Sequence, residues 1–162
     1  MRLLINNSDF SKYFEKEAHN IYRIIGNRFN VSFYHVGGTA LQQSLTQPII
    51  DILVAVKTNF DHFTLKDMLL MEGYSYNQKD STLRHLVLGK KNSKGEIKYI
   101  IHICPVASKS CQDILLTQKI LRKKKRKLQN LNIIKFKYKD NPEKYKIYKN
   151  RYFSYLIESN KI

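Results

Sequence analysis

The spacing of apolar residues switches several times along this 162-residue chain, and each switch marks an element. Phe10, Phe14, Ile21, Ile24 and Ile25 recur at roughly helical spacing behind Ser8, which predicts a helix over 9–29, capped by that serine and ended by 27–30. Val31 to Val36 is short and β-branched at both ends, as a strand requires; Gly37-Gly38 follows as a turn, and 39–44 has room for one or two helical turns. The run from Ile49 to Val56 is apolar on both alternating faces, so it should be a central strand covered on both sides. A helix capped by Thr58 or Asn59 is predicted to reach Met71, burying Phe60, Phe63, Leu65, Leu69 and Leu70, and Tyr74 to Tyr76 reads as a brief strand. Residues 83–88 and 97–104 form a predicted hairpin across the turn-rich 90–95. Two helices close the chain, over 110–130 and 142–158, the second with Tyr145, Tyr148, Tyr152 and Leu156 on one stripe.

This order predicts an α/β fold: a mixed sheet of about five strands, helices mainly on one side, and two basic helices at the C-terminal end. The length suits one domain, with 1–109 as the core and 110–162 as the helical part, and no Gly-, Pro- or Ser-rich linker divides it. No stretch is apolar enough for a membrane span or a secretory leader, so a cytoplasmic protein without a membrane span is expected. Cys104 and Cys111 lack a metal-ligand spacing and read as free thiols, with a disulfide or zinc as the alternatives.

Charge alters the picture at one end. Residues 1–116 hold 14 Lys and Arg against 10 Asp and Glu, whereas 117–162 hold 15 against 3, which accounts for +12 of the net +16. The densest part, Arg122 to Lys127, has six consecutive cations, which on one helix would point in every direction. Contact with nucleic acid through 119–139, an anionic membrane face and a merely solvated helix end are the readings it leaves open.

The candidate chemistry lies in His35 to Val56. Adjacent glycines let backbone approach a phosphate closely, and a lone acid at the head of an apolar strand, Asp51, is placed to hold a divalent metal. That is the outline of a nucleotidyltransferase site, although such strands usually carry a second carboxylate at i+2, where this chain has Leu53. Asp51 is therefore the candidate metal ligand, for Mg²⁺, and with His102 the candidate catalytic residue; an internal cap on the Gly-Gly loop is the bland alternative. His35, Gly37, Gly38, Thr39, Arg84 and Lys149 are the candidate ligand- and phosphate-binding residues. Arg84 enters as a fork for anions, and its neighbour His85 faces the other way. A transition-metal site of His35, Asp51 and His102 is a third arrangement. His35, Asp51, Arg84 and His102 are expected to line one cleft.

The segment from His35 to Ile52 also resembles the GrpB family, whose pattern has the same length without gaps. His35, Gly37, Thr39, Ala40, Pro48, Ile49, Ile50, Asp51 and Ile52 coincide with it, while Gly38 stands for its Ser, Gln42-Gln43 for its Pro-Gly and Gln47 for its Lys. Further on, Glu72 to Tyr76, Arg84, Ile101 to Ile103 and the Tyr145/Lys149 pair resemble later parts of the family. Its Arg-Asp helix motif is reduced to Thr117 to Arg122, without the Arg-Asp pair. The resemblance implies a nucleotidyltransferase fold, with binding of a nucleotide or another phosphate-containing small molecule and nucleotidyl transfer as the ancestral chemistry. The rival reading is a noncatalytic nucleic-acid or partner-binding protein acting through the basic C-terminal helices.

Overall fold

The computed structural model describes residues 2–7 and 9–161, so the predicted Ser8 cap lies outside the described residues. The strands are β1 Leu4–Ile5, β2 Val31–Val36, β3 Leu45–Thr46, β4 Ile50–Val56, β5 Ser75–Tyr76, β6 Leu86–Lys91 and β7 Ile97–Pro105. The helices are α1 Ser11–Ile25, α2 Asp61–Met71, α3 Lys109–Lys123, α4 Lys125–Lys137 and α5 Pro142–Glu158. Five strands form one mixed sheet in the order β2-β4-β7-β6-β5, with β4 parallel to β7 and the other neighbours antiparallel.

Alternation along β4 organises the layers. Ile50, Ile52, Val54 and Val56 face α1 and α2, where Ile21, Ile25, Leu65 and Leu69 complete the larger core. Leu53 and Ala55 face the other way and pack with Cys104, Cys111, Ile114 and Leu115 under α3. Cys104 and Cys111 are free and buried. Helices thus cover both faces, which corrects the expectation of helices mainly on one side. The reason is the strand itself: a strand apolar on both faces needs cover on both. β4 is interior, with β7 taking the middle position. A third cluster, around Leu121, Leu128, Leu131 and Leu156, joins α3, α4 and α5.

Several element limits differ from the sequence reading. Helix α1 stops at Ile25 because Gly26 takes φ 65°, a left-handed conformation that ends the hydrogen-bond ladder. Helix α2 begins only at Asp61; Phe60 is 80% exposed, and the Thr58 hydroxyl bonds the Asp61 carboxylate instead of capping the backbone. Strand β6 starts three residues later than expected and runs through Gly89 to Lys91. The turn that pairs Thr82 with His85 delays the strand's start, and Asn92 sets its end, since the Asn92 side chain accepts from the Lys94 and Glu96 N–H groups and closes a tight turn there. The expected helix over 110–130 is broken at Lys124, which has φ −113° and ψ 88°. The break leaves residues 122–126 exposed while Leu128 and Leu131 turn inward, a placement a continuous helix could not give to six cations in a row.

The β1–β3 ribbon was not legible. Its value is local: the Asn6 side chain, fully buried, donates to the carbonyls of Thr39 and Leu41, both at 2.9 Å, and so holds the loop after β2 against the N-terminal segment. That loop is one 3-10 turn, Gly38–Ala40, followed by extended Leu41 rather than the expected helical turns.

Candidate functional site

A cavity of about 530 Å³ opens between the α3-covered face of the sheet and the three C-terminal helices. Register explains its floor. Asp51 pairs with Ile100, and the same face of β7 carries His102, so both polar side chains project toward α3. Asp51, His102, Gly37, Gly38 and Lys149 line this one cavity. The opposite wall comes from α4 and α5 through Lys135, Tyr145 and Phe153.

The glycines are there for close approach. Gly37 has φ 75°, and a Cβ on it would stand 2.4 Å from Asp51 Oδ2; a Cβ on Gly38 would stand 2.4 Å from Thr46 Oγ1 and 3.2 Å from Lys135 Nζ. The Gly37 N–H donates to Gln118 Oε1 at 3.1 Å, which ties the loop to α3. Because the turn after Gly37 lasts only three residues, it supplies no helix-end dipole, and the expected helix-terminus phosphate cradle is absent.

Three candidates fall outside the cavity. His35 pairs with Ile52 and so faces the α1 side, where its ring stacks on Phe14 at 5.1 Å and burial pushes its pKa down. Its Nε2 meets Thr39 Oγ1 at 3.0 Å, and that hydroxyl donates to the Ile49 carbonyl at 3.2 Å, so Thr39, only 4% exposed, is committed within the fold. Arg84 is exposed and reaches Asn59 Oδ1 at 3.5 Å, because it lies in the turn before β6 rather than on the strand. The four-residue convergence expected from the sequence therefore reduces to Asp51 and His102.

His85 turns inward in place of Arg84. Its Nε2 lies 2.9 Å from His102 Nδ1, and His102 Nε2 lies 3.3 Å from Asp51 Oδ1. A proton on His102 Nε2 satisfies the carboxylate and leaves His102 Nδ1 to accept from His85. Burial, then the His102 neighbour, push His85 down to about 4, so it is neutral around pH 7.

Lys135, absent from the sequence-derived set, is the most consequential addition. It is 7% exposed, and its Nζ donates to Ser44 Oγ at 3.0 Å and to the Leu45 carbonyl at 2.6 Å. Burial foremost, then repulsion from Lys149, push it down to about 8, while Asp51 favours its charged form. Burial also lowers the pKa of Lys149, which Asp51 again opposes; its ammonium sits 5.4 Å from the Tyr145 ring centroid and 6.0 Å from that of Phe153. Tyr145 is pushed up to about 12 by burial and the Asp51 charge. A sequence signal for Lys135 did exist: with Leu128 and Leu131 it completes an i, i+3, i+7 inward stripe.

The donor set does not fit the paired magnesium ions of in-line phosphoryl transfer. Leu53, where a second carboxylate would stand, is fully buried in the α3 interface. Asp113, at the cavity edge, is paired with Lys109. Among the described residues no group of three or more His, Cys, Asp or Glu is placed to hold a metal.

The GrpB protein family model matches residues 1–158. The chain belongs to the GrpB family. Among solved structures, the conserved protein GrpB from Enterococcus faecalis is similar over 98% of each chain, with 18% identity and a TM-score of 0.80. The Cid1 poly(U) polymerase is similar over 85% of this chain and 44% of its own, at 13% identity and a TM-score of 0.56 in a mutant bound to MgATP. Its complex with the UTP analogue UMPNPP gives 14% identity and a TM-score of 0.52, over 43% of that chain. This GrpB-like chain spans less than half of the polymerase. At these identities the likeness shows the fold, which is nucleotidyltransferase-like. Among curated proteins none matches the chain by sequence. Among the described residues no helix is long and apolar enough to cross a membrane.

Proposed function

We propose that the cavity binds a phosphate-containing small molecule, with a nucleotide as the ligand class. The observation that carries this reading is the placement of Lys135 beside the side-chain-free Gly38, with Lys149 lining the same cavity of about 530 Å³. Two partly desolvated ammonium groups beside a single carboxylate leave an excess of positive charge that an anion would neutralise. Leu41, Leu121, Leu131 and Phe153 line the remaining wall and offer apolar contact to a base or another flat group. The Cid1 complexes with MgATP and UMPNPP, which share the fold, support the nucleotide class. Nucleotidyl transfer is the ancestral chemistry that the fold suggests. For this chain the reading is binding, since Leu53 removes the second metal-holding acid and no group has taken its place on β4.

A thermal-shift screen of the four ribonucleoside triphosphates, their monophosphates and pyrophosphate tests the reading. A ligand at 100 times its Kd adds about 2.7 kcal/mol, which for a chain of this size raises Tm by roughly 5–10 °C. Absence of any shift across the panel at millimolar concentrations would overturn it.

A second role is supported by a separate observation. Arg122 to Arg126 are all exposed at the break between α3 and α4, with Lys127 held by the Tyr155 hydroxyl at 2.8 Å. We propose that this corner makes nonspecific electrostatic contact with nucleic acid.

A further inference from the structure

We propose that the cavity takes its anionic ligand without a divalent metal, Lys135 and Lys149 supplying the counter-charge that metal ions supply elsewhere in this fold. The inference rests on the ligand class proposed above and concerns how that ligand is held.

Three features of the site converge on it. The position that would give a second metal-holding oxygen on the Asp51 face is Leu53, fully buried and packed with Val36, Ala55, Cys104 and Cys111. A carboxylate there would have to displace an apolar cluster, so the acid is excluded by the α3 packing and not merely replaced by chance. Next, Asp51 Oδ1 already has His102 Nε2 at 3.3 Å, and Oδ2 stands 2.4 Å from where a Cβ on Gly37 would be. A hard dication needs oxygen donors in open geometry, and here the one carboxylate is flanked by an imidazole nitrogen and a loop. Finally, a dication bound at Asp51 would face both Lys135 and Lys149, whose charged forms Asp51 itself favours. One carboxylate then has to serve three competing cations, and the two ammonium groups are covalently present at all times.

The lysines are also built in rather than incidental. Lys135 Nζ is fixed by Ser44 Oγ and the Leu45 carbonyl, next to Gly38, so two of its three protons are directed and the third is left for a ligand. Lys149 stands between the Tyr145 and Phe153 rings, which limits the positions its ammonium can take. In this arrangement Asp51 favours the charged form of both lysines when the cavity is empty. It repels the ligand slightly and does not carry it.

Isothermal titration of the full chain with ATP, UTP and pyrophosphate, at pH 6.5 in EDTA and again in 5 mM Mg²⁺, tests the proposal. The expected result is binding of at least one probe in EDTA, with an affinity that Mg²⁺ leaves unchanged or weakens. Lys149→Gln should weaken that binding at least tenfold, with Lys149→Arg recovering most of it. Asp51→Asn, at a pH where both lysines stay charged, should tighten it. Lys135→Gln is informative only after its circular dichroism and Tm show a folded protein, and Lys149 carries the test otherwise. Binding that requires Mg²⁺ and disappears in Asp51→Asn would overturn the inference while leaving the proposed ligand class in place. No binding of any probe in either buffer would overturn both.

Discussion

Gly37 lies directly against the Asp51 carboxylate, close enough that a methyl group on the glycine would stand 2.4 Å from Oδ2. Gly37 also has φ 75°, so Gly37→Ala meets a steric clash and a strained backbone together. The expected loss is about 2–4 kcal/mol, combining roughly 1–2 for the left-handed backbone with overpacking of similar size. Gly26→Ala isolates the backbone part, because Gly26 has φ 65° with nothing within 4 Å of its Cβ position. Urea denaturation of both variants should show Gly37→Ala as clearly the more damaging.

Glu17 is the buried acid of the other face, at 4% exposure, where Lys90 Nζ donates to it at 2.7 Å and the Tyr74 hydroxyl also donates. Replacing Glu17 by Ala leaves a cation and a phenol without their acceptor, which should cost about 3 kcal/mol. Lys90→Met should cost less, since its ammonium side is partly open to solvent. A double-mutant cycle of the two, read by equilibrium unfolding, should give a coupling that reports the pair.

His85 should stay neutral to about pH 4, well below the ordinary histidine range. Burial and its His102 neighbour disfavour the charged form, with Asp80 acting in the opposite direction. Its folded pKa lies below its unfolded value of 6.5, so the unfolded chain binds the extra proton between pH 6.5 and 4. Stability is therefore lost as pH falls through that window and is unaffected by this group above it. Two-dimensional NMR of the imidazoles should show the His85 shift unchanged from pH 7 to 5, and His85→Gln should flatten the acid limb of the Tm profile.

The exposed corner makes its own prediction. Changing Lys123, Lys124 and Lys125 to Gln should weaken binding to single-stranded RNA and reduce the log-log salt slope by roughly 0.7 for each phosphate that is no longer neutralised. Fluorescence anisotropy of a labelled oligonucleotide between 50 and 300 mM salt measures both. If the wild-type protein does not bind at 50 mM, the corner is simply solvated.

Much of the fold was legible along the chain. The β2 strand agrees with the apolar pattern residue for residue, and β4 differs by one residue, because alternation and β-branched runs are local properties of the backbone. The His35 to Ile52 resemblance rightly pointed to the GrpB family. The site was less legible. Asp51, Gly37, Gly38, His102 and Lys149 could be singled out from sequence, and they do line one cavity. His35 could not be placed, since which face a strand residue takes depends on register with its partner, and pairing with Ile52 sends it toward α1. Arg84 and His85 exchanged roles for a similar reason: β6 begins only at Leu86, and the turn before it leaves the arginine in solvent.

By itself, then, the sequence determined which residues form the buried strands, where the glycine turn and its acid stand, and where the positive charge concentrates. Each of these follows from the chemistry of neighbours within a few residues. The tertiary structure decided what meets Asp51. Lys135 comes to the Gly38 turn from far along the chain, after the break at Lys124 redirects α4 against β3. Local periodicity with Leu128 and Leu131 turns Lys135 inward, but which loop it meets depends on how the three C-terminal helices pack together.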